Sequence, residues 1–236
     1  MKRTLLPLVI AALMACACAD TQKAPEAAVP FHYDTLPGDS TLYGLAGDGT
    51  TDSILIMLPY SCEGLDTFDI IEAREQRHIM GRPHIGDELA VILRNDSTRQ
   101  AALVVNVSTL QQKWCYMAQP VLRHQPPRPL PDSVMRELMT PREYTLRLMR
   151  GGTAFTMGGR HSSSDTMSPV EYPQQKRYTG WRLFNGRLLL TVTDSTSQQA
   201  PDTADIVLLR RDSLVLRFSD HEQAYYRQKE AARSEK

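Results

Sequence analysis

Histidines are the first residues to consider for catalysis or metal binding, and the chain has six. His78 and His84 flank Gly81 and Pro83, with Glu75 close by in the sequence. A metal site needs ligands that converge from separate elements, with a further partner beside these. The spacing therefore favours exposed polar loop residues, and we predict neither a metal site nor a cofactor.

A second group that could do chemistry is His161 together with Ser162, Ser163, Ser164 and Asp165. A serine hydrolase needs a serine, a histidine and an acid that converge in space, together with oxyanion donors. Neighbours in a polar loop do not supply that arrangement, and the Gly-x-Ser-x-Gly elbow is absent. We predict that the chain is not an enzyme and keep a hydrolase as the least favoured alternative.

The N-terminal segment ends at a cysteine whose position points to covalent chemistry. Two basic residues come first, followed by an apolar run over 5–14, then Ala15 and Cys16. This order predicts a signal peptide over 1–15. The apolar run is too short for a membrane-spanning helix, which takes about 20 apolar residues.

Leu13-Met14-Ala15 ahead of Cys16 resembles the lipobox of bacterial lipoproteins. The resemblance implies a thioether diacylglycerol and an amide-linked acyl chain such as palmitate on Cys16, and more than one hydrocarbon chain gives stable anchoring. The predicted location is the outer membrane, lipid-anchored, on its periplasmic or its cell-surface face. Cys18 is an alternative acceptor, and an ordinary secretory signal stays open. Residues 16–30 are predicted to form a flexible tether.

Composition limits the choice of partners and domains. Lys+Arg and Asp+Glu both number 27, so charge gives no reason to expect nucleic acid as a partner. The roughly 205 residues that remain suit one large or two small domains. Cys62 and Cys115 could form a disulfide in an oxidising compartment; two buried free thiols are the alternative.

Short apolar runs separated by turn residues predict an all-β fold. The predicted strands of the first half are 41–45, 53–58, 67–74, 78–81, 88–94, 101–107 and 113–117. We predict that 31–120 forms a small antiparallel barrel, because closure hides the strand edges. Residues 79–89 are similar to a strand-turn-strand element of OB-like and SH3-like barrels.

A proline cluster divides the chain. Four prolines lie within 125–131, and such a stretch cannot join a central strand, so 121–131 is the predicted linker. A short helix over 132–138, capped by Asp132 or Ser133, opens the second β domain, 132–228. The charged tail, 229–236, is predicted to fray.

The second half repeats the β pattern. Its predicted strands are 144–149, 153–157, 178–184, 187–193, 204–210, 213–218 and, at an edge, 224–228. Asn185-Gly186 is a strong hairpin signal. The hairpin over 178–190, the next over 205–216 and the closing Tyr226-Arg227 resemble the lipocalin-like domains of exported lipoproteins from Gram-negative gut anaerobes. This resemblance implies an antiparallel barrel that could hold a small apolar molecule.

Asp followed by Ser or Thr recurs along the chain, and it is similar to the O-glycosylation signal of exported proteins in the same bacteria. Thr166, Ser195 and Thr203, in predicted long loops, are the candidate sites. The alternative is that these residues serve only as turn and cap formers.

Taken together, the residues predict a lipid-anchored cell-envelope protein that acts as a non-catalytic binding or interaction module. It would bind the membrane through its anchor and either a protein partner in the envelope or, as a lipocalin-like carrier, a small hydrophobic ligand. The amount of free space inside the barrels decides between these alternatives, since a small barrel holds a ligand only where its inward side chains leave room.

Overall fold

β-strands dominate the computed structural model, which describes residues 36–61, 64–95, 97–123, 130–158, 169–192 and 200–228. The elements before the proline cluster are β1 (Leu42–Ala46), β2 (Ile54–Pro59), β3 (Asp66–Asp69), α1 (Ile71–Glu75), β4 (Ile79–Met80), β5 (Glu88–Leu93), β6 (Ala101–Asn106), α2 (Val107–Leu110), β7 (Lys113–Ala118) and β8 (Val121–Leu122). Those after it are α3 (Asp132–Leu138), β9 (Arg142–Leu148), β10 (Ala154–Met157), β11 (Val170–Glu171), β12 (Tyr178–Phe184), β13 (Arg187–Val192), β14 (Asp202–Leu209), β15 (Ser213–Arg217) and β16 (Glu222–Arg227).

Strands β1 to β6 form the first sheet, in the order β3-β2-β1-β5-β6-β4. Its neighbours are antiparallel except for β4, which runs parallel to β6. Asp69 at the end of β3 bridges Gln100 just before β6, so the sheet curls back on itself. Its inner side chains form a core of Ala46, Leu55, Met57, Phe68, Ile70, Leu89, Val91, Ala101 and Val104.

Alternating apolar residues account for the strands of this sheet, as in β2, where Leu55 and Met57 are fully buried. The strand predicted over 67–74 is shorter and ends at Asp69. The Asp69 carboxylate accepts a hydrogen bond of 2.9 Å from the backbone N–H of Ile71. That contact stabilises a turn of the chain, and the helical turn α1 follows.

The second sheet is an antiparallel barrel that is nearly closed. Its eight strands follow the order β10-β9-β7-β16-β15-β14-β13-β12. The two end strands meet, because Thr153 bridges Gly180 and the backbone N–H of Trp181 donates to the carbonyl of Gly152 at 2.7 Å. The predicted all-β fold with a barrel in the second half is confirmed.

The predicted Asn185-Gly186 hairpin is also confirmed, and it has a tertiary role. Both residues have positive φ, 47° and 79°, as a type I′ turn requires. The side-chain oxygen of Asn185 accepts hydrogen bonds from the N–H and the hydroxyl of Ser40, each at 2.9 Å. A Cβ on Gly186 would lie 2.2 Å from a methyl carbon of Leu103, so the turn packs tightly against the first sheet.

Strand β7 differs from the predicted organisation. It lies in the predicted 31–120 domain, yet it pairs with β9 on one side and β16 on the other. Strand β16, predicted to be an edge, is therefore inside the sheet. Within the predicted linker 121–131, β8 pairs with β11, and 124–129 lies outside the described residues.

Helix α3 has the predicted bounds but a different start. Its N-cap residue is Pro131, and no side chain makes a capping hydrogen bond. The predicted cap by Asp132 or Ser133 is therefore wrong.

One core joins the two sheets. From the first part of the chain it takes Tyr43, Met80, Ala90, Val105, Val107, Leu110 and Trp114. From the second it takes Leu146, Leu148, Ala154, Trp181, Leu183, Leu188, Leu190, Ala204, Ile206, Leu209, Leu214, Leu216 and Tyr225. The described part of the chain forms one compact unit, because one face of the first sheet covers an end of the barrel.

Candidate functional site

Most of the predicted modification sites lie outside the described residues. This holds for Cys16 with the predicted signal peptide and tether, for Cys62, for Thr166 and Ser195, for His161 and for the tail. Thr203 is described, and it lies half-buried in β14 opposite Leu189, not in a loop. Its glycosylation stays a prediction.

Cys115 is a buried free thiol in β7. Its Sγ lies 3.5 Å from the hydroxyl oxygen of Thr145 on the neighbouring strand, and burial raises the pKa of the thiol. Of the two alternatives left open by the sequence, a disulfide or buried free thiols, Cys115 fits the second, and Cys62 lies outside the described residues.

Two histidines of the first half, His78 and His84, make polar contacts with nearby residues. His78 Nδ1 lies 3.2 Å from the carbonyl of Ala102, and His84 Nδ1 lies 3.3 Å from the carboxylate of Asp87. Within the described ranges, no three His, Cys, Asp or Glu side chains come together as metal ligands. No helix in the described part of the chain has the length and apolarity to cross a membrane.

A pocket of about 290 Å³ opens at the barrel end away from the first sheet. We call it the barrel-end pocket. Its walls come from β7, β9, β10, β12, β14 and β16, from the turn after β15 and from the segment before β12. They include the aromatic residues Tyr116, Tyr178, Phe218, His221 and Tyr225 and the amide or hydroxyl side chains of Thr156, Gln174, Gln175, Thr203, Ser219 and Gln223.

Two tyrosines at the base of this pocket carry hydroxyls that make no hydrogen bond to any described residue. The rings of Tyr116 and Tyr225 meet edge to face, with centroids 5.4 Å apart. Tyr225 is only 8% exposed, and burial raises the pKa of both phenols, that of Tyr116 to about 12. No fully buried side-chain oxygen or nitrogen among the described residues lacks a partner, so these unpaired hydroxyls retain access to the pocket.

A charged pair fixes the rim. The carboxylate of Asp202 accepts hydrogen bonds from the hydroxyl of Tyr178 and from Nζ of Lys176, both at 2.8 Å. Burial, and then the bond to Asp202, raise the pKa of Tyr178. Across the opening, the rings of Phe218 and His221 stack with their centroids 4.9 Å apart. The rim thus combines fixed hydrogen-bonding groups with flat aromatic surfaces.

The rest of the barrel interior is filled. Leu188, Leu190, Leu214 and Leu216 are fully buried there. Trp114 and Trp181 also belong to the core, at 0% and 3% exposure. The described side chains in this part of the barrel therefore form a packed apolar core.

The barrel-end pocket could not be predicted from the sequence, because its residues come from strands far apart in the chain. The available signal was the alternation of inward and outward side chains along each strand. In β16, Tyr225 is buried and Tyr226 exposed, so strict alternation marks Tyr225 as an inward residue. It does not reveal that Tyr116 lies opposite, since this depends on the insertion of β7 beside β16.

Similarity to known proteins is found among solved structures. No protein-family model matches the chain, and no curated protein matches it. Among solved structures, a lipocalin-like protein from Bacteroides thetaiotaomicron VPI-5482 matches at 19% sequence identity with a TM-score of 0.29. That match covers 51% of this chain and 97% of the other.

Proposed function

We propose that the protein is a lipid-anchored, non-catalytic binding module of the cell envelope that holds a small polyhydroxylated ligand, such as one sugar unit, in the barrel-end pocket. One observation carries this proposal. The hydroxyl of Tyr225 belongs to a side chain more than nine-tenths buried, opens to the pocket and has no hydrogen-bond partner among the described residues. A ligand that displaces water from the pocket would leave this donor unpaired, at a cost in free energy, unless a ligand oxygen accepts its hydrogen bond.

The size and lining of the pocket support this class of ligand. At about 30 Å³ per water, a pocket of about 290 Å³ holds roughly ten non-hydrogen atoms. Amide and hydroxyl side chains both donate and accept hydrogen bonds, as sugar hydroxyls do. The Phe218 and His221 rings offer apolar faces for the C–H side of a sugar ring. A long fatty acid fits neither the volume nor the lining.

The first prediction is that Tyr225→Phe weakens sugar binding about tenfold, as expected for one lost buried hydrogen bond. Neutral monosaccharides, with a fatty acid as the comparison ligand, are titrated into the protein and followed by ligand-detected NMR. Without a ligand, Tyr225→Phe should leave the free energy of unfolding nearly unchanged, because the hydroxyl makes no hydrogen bond to any described residue.

Tyr226→Phe is the matched control. Tyr226 is the next residue in β16, and its hydroxyl donates to Glu143 at 2.7 Å on the outer surface. Its removal should leave binding unchanged. Binding of the fatty acid without binding of any sugar would contradict the proposal, as would equal sugar affinity in both variants.

The second prediction concerns the anchor. Cys16→Ala should abolish incorporation of an alkyne-tagged fatty acid and move the protein from the membrane to the soluble envelope fraction. Cys18→Ala is the control and should retain both the label and the membrane fraction. A label that persists in Cys16→Ala and is lost in Cys18→Ala would move the anchor to Cys18. If both variants keep the label, lipidation at these cysteines is contradicted.

A further inference from the structure

A cleft of about 1200 Å³ lies between the two sheets, on a different side of the barrel from the barrel-end pocket. We call it the arginine cleft. One wall comes from α1, β4 and the loop after β4, and the other from β14, its following turn and β15. Its floor is apolar, since Ile70, Met80 and Leu209 are buried and Ile79 and Val215 are half-buried.

The lining of the arginine cleft is strongly cationic. It contains Arg74, Arg77, Arg82, Arg210 and Arg211 and a single acid, Asp52, in a chain whose formal net charge is zero. Asp52 forms an ion pair with Arg74. Among the described residues, no carboxylate pairs with the other four arginines.

Backbone contacts hold the two arginine-bearing walls together. The N–H of Gly81 donates to the carbonyl of Leu209 at 3.0 Å, which joins the end of β4 to β14. Gly81 has φ +79°, and a Cβ there would lie 2.8 Å from Cβ of Asn106. The buried side chain of Asn106 donates to the carbonyl of Arg82 at 2.9 Å. The arginines are therefore kept close although like charges repel each other.

Two backbone irregularities lie at the cleft. Arg77 has φ +59°, a left-handed conformation that costs a non-glycine residue free energy and clusters at ligand-binding sites. In β14 the pairing with β15 shifts between Ile206 and Leu208, and this bulge leaves Val207 and Leu208 both lining the cleft. Bulges of this kind re-aim side chains next to functional sites.

From this arrangement we infer that the arginine cleft binds a phosphate-bearing amphiphile, with the phosphate on the arginines and the apolar part on the floor. Guanidinium groups form paired, charge-assisted hydrogen bonds with phosphate oxygens. A lone phosphate would leave the apolar floor and most of the volume unused. An uncharged hydrophobic ligand would leave four guanidinium groups without an anion.

The test is isothermal titration of the full chain, produced without acylation, at low salt and below the micelle concentration of each probe. The probes are octyl phosphate, inorganic phosphate and the uncharged monooctyl ether of tetraethylene glycol. Octyl phosphate should bind at least tenfold more tightly than either of the others, and its affinity should fall as salt rises. Failure of octyl phosphate to bind, or equal affinity for either of the other two probes, would overturn the inference.

Variants locate the binding. The double variant Arg210→Gln/Arg211→Gln should weaken octyl phosphate binding at least tenfold. Arg187→Gln is the control, because Arg187 is an exposed barrel arginine that pairs with Asp205 at 2.6 Å. Tyr225→Phe should bind octyl phosphate as the unaltered protein does, which separates this site from the barrel-end pocket. Unchanged binding in the double variant, or loss of binding in Tyr225→Phe, would place the ligand elsewhere.

Discussion

At the scale of single residues, buried tyrosines are the most distinctive chemical feature of the described structure. Burial is the leading cause of a raised pKa at six of them. They are Tyr43, Tyr60, Tyr116, Tyr144, Tyr178 and Tyr225. The neutral phenol is favoured in the folded state, whereas an unfolded tyrosine ionises near its ordinary pKa of 10.0.

The third prediction follows from the direction of these shifts. The folded pKa values of these tyrosines lie above the unfolded ones. Their contribution to the free energy of unfolding is therefore complete below pH 10 and is lost as pH rises through the folded values. Those values reach about 12 for Tyr60 and Tyr116. The urea midpoint should therefore fall from pH 10 upward. Tyrosinate absorbance at 295 nm should rise together with loss of the circular dichroism signal. Full ionisation at pH 10 in a protein that stays folded would contradict the prediction.

At the scale of elements, local signals predicted hairpins well and sheet membership poorly. Asn185-Gly186 specifies its own turn, because both residues tolerate positive φ. The position of β7 depends on pairing with β16, so that Cys115 lies opposite Tyr226. No local pattern encodes a pairing over such a sequence separation. The barrel-end pocket was missed for the same reason, since it needs Tyr116 and Tyr225 on adjacent strands.

The fourth prediction concerns the hydrogen bonds that join Asn185 of the hairpin to the segment just before β1 of the first sheet. Asn185→Gly keeps a residue that accepts positive φ but removes the bonds to Ser40 and the bond from Nδ2 to the carbonyl of Gly38, 3.0 Å long. The free energy of unfolding should fall by about 1–3 kcal/mol, measured by urea denaturation.

Asn95→Gly is the control for Asn185→Gly. The Asn95 side chain accepts bonds from Ser97 and Thr98 within its own exposed turn, so it tests a local contact that does not join the sheets. A smaller loss, under about 1 kcal/mol, is expected there. Equal losses at the two positions would show that the Asn185 contact adds nothing beyond its own turn.

At the scale of the whole molecule, the two sheets share one core. The part of the chain before the proline cluster also contributes one strand, β7, to the barrel. Trp114 of β7 and Trp181 of β12 both belong to that core. Residues 132–228 contain seven of the eight barrel strands and lack β7, so β9 and β16 would each lose a neighbour and the barrel would open.

The fifth prediction is that a fragment of residues 132–228 shows no cooperative unfolding and a poorly dispersed NMR spectrum. Residues 31–236 should unfold in one transition. In both a Trp114→Phe and a Trp181→Phe variant, the fluorescence of the remaining tryptophan should change at the same midpoint as the circular dichroism signal, because each variant retains one reporter in the shared core. A cooperative, well-dispersed 132–228 fragment would show instead that the second domain folds alone.

The place of β16 also sets an order of events during biosynthesis. This strand ends at Arg227, near the end of the chain, and it is the link between β15 and β7, which begins at Lys113. A chain that passes end-first through a narrow channel cannot complete its barrel until residue 227 has left the channel. The unclosed intermediate presents two free strand edges during that interval. Until β16 pairs with β15 and β7, those edges are the places at which another chain could pair and aggregate.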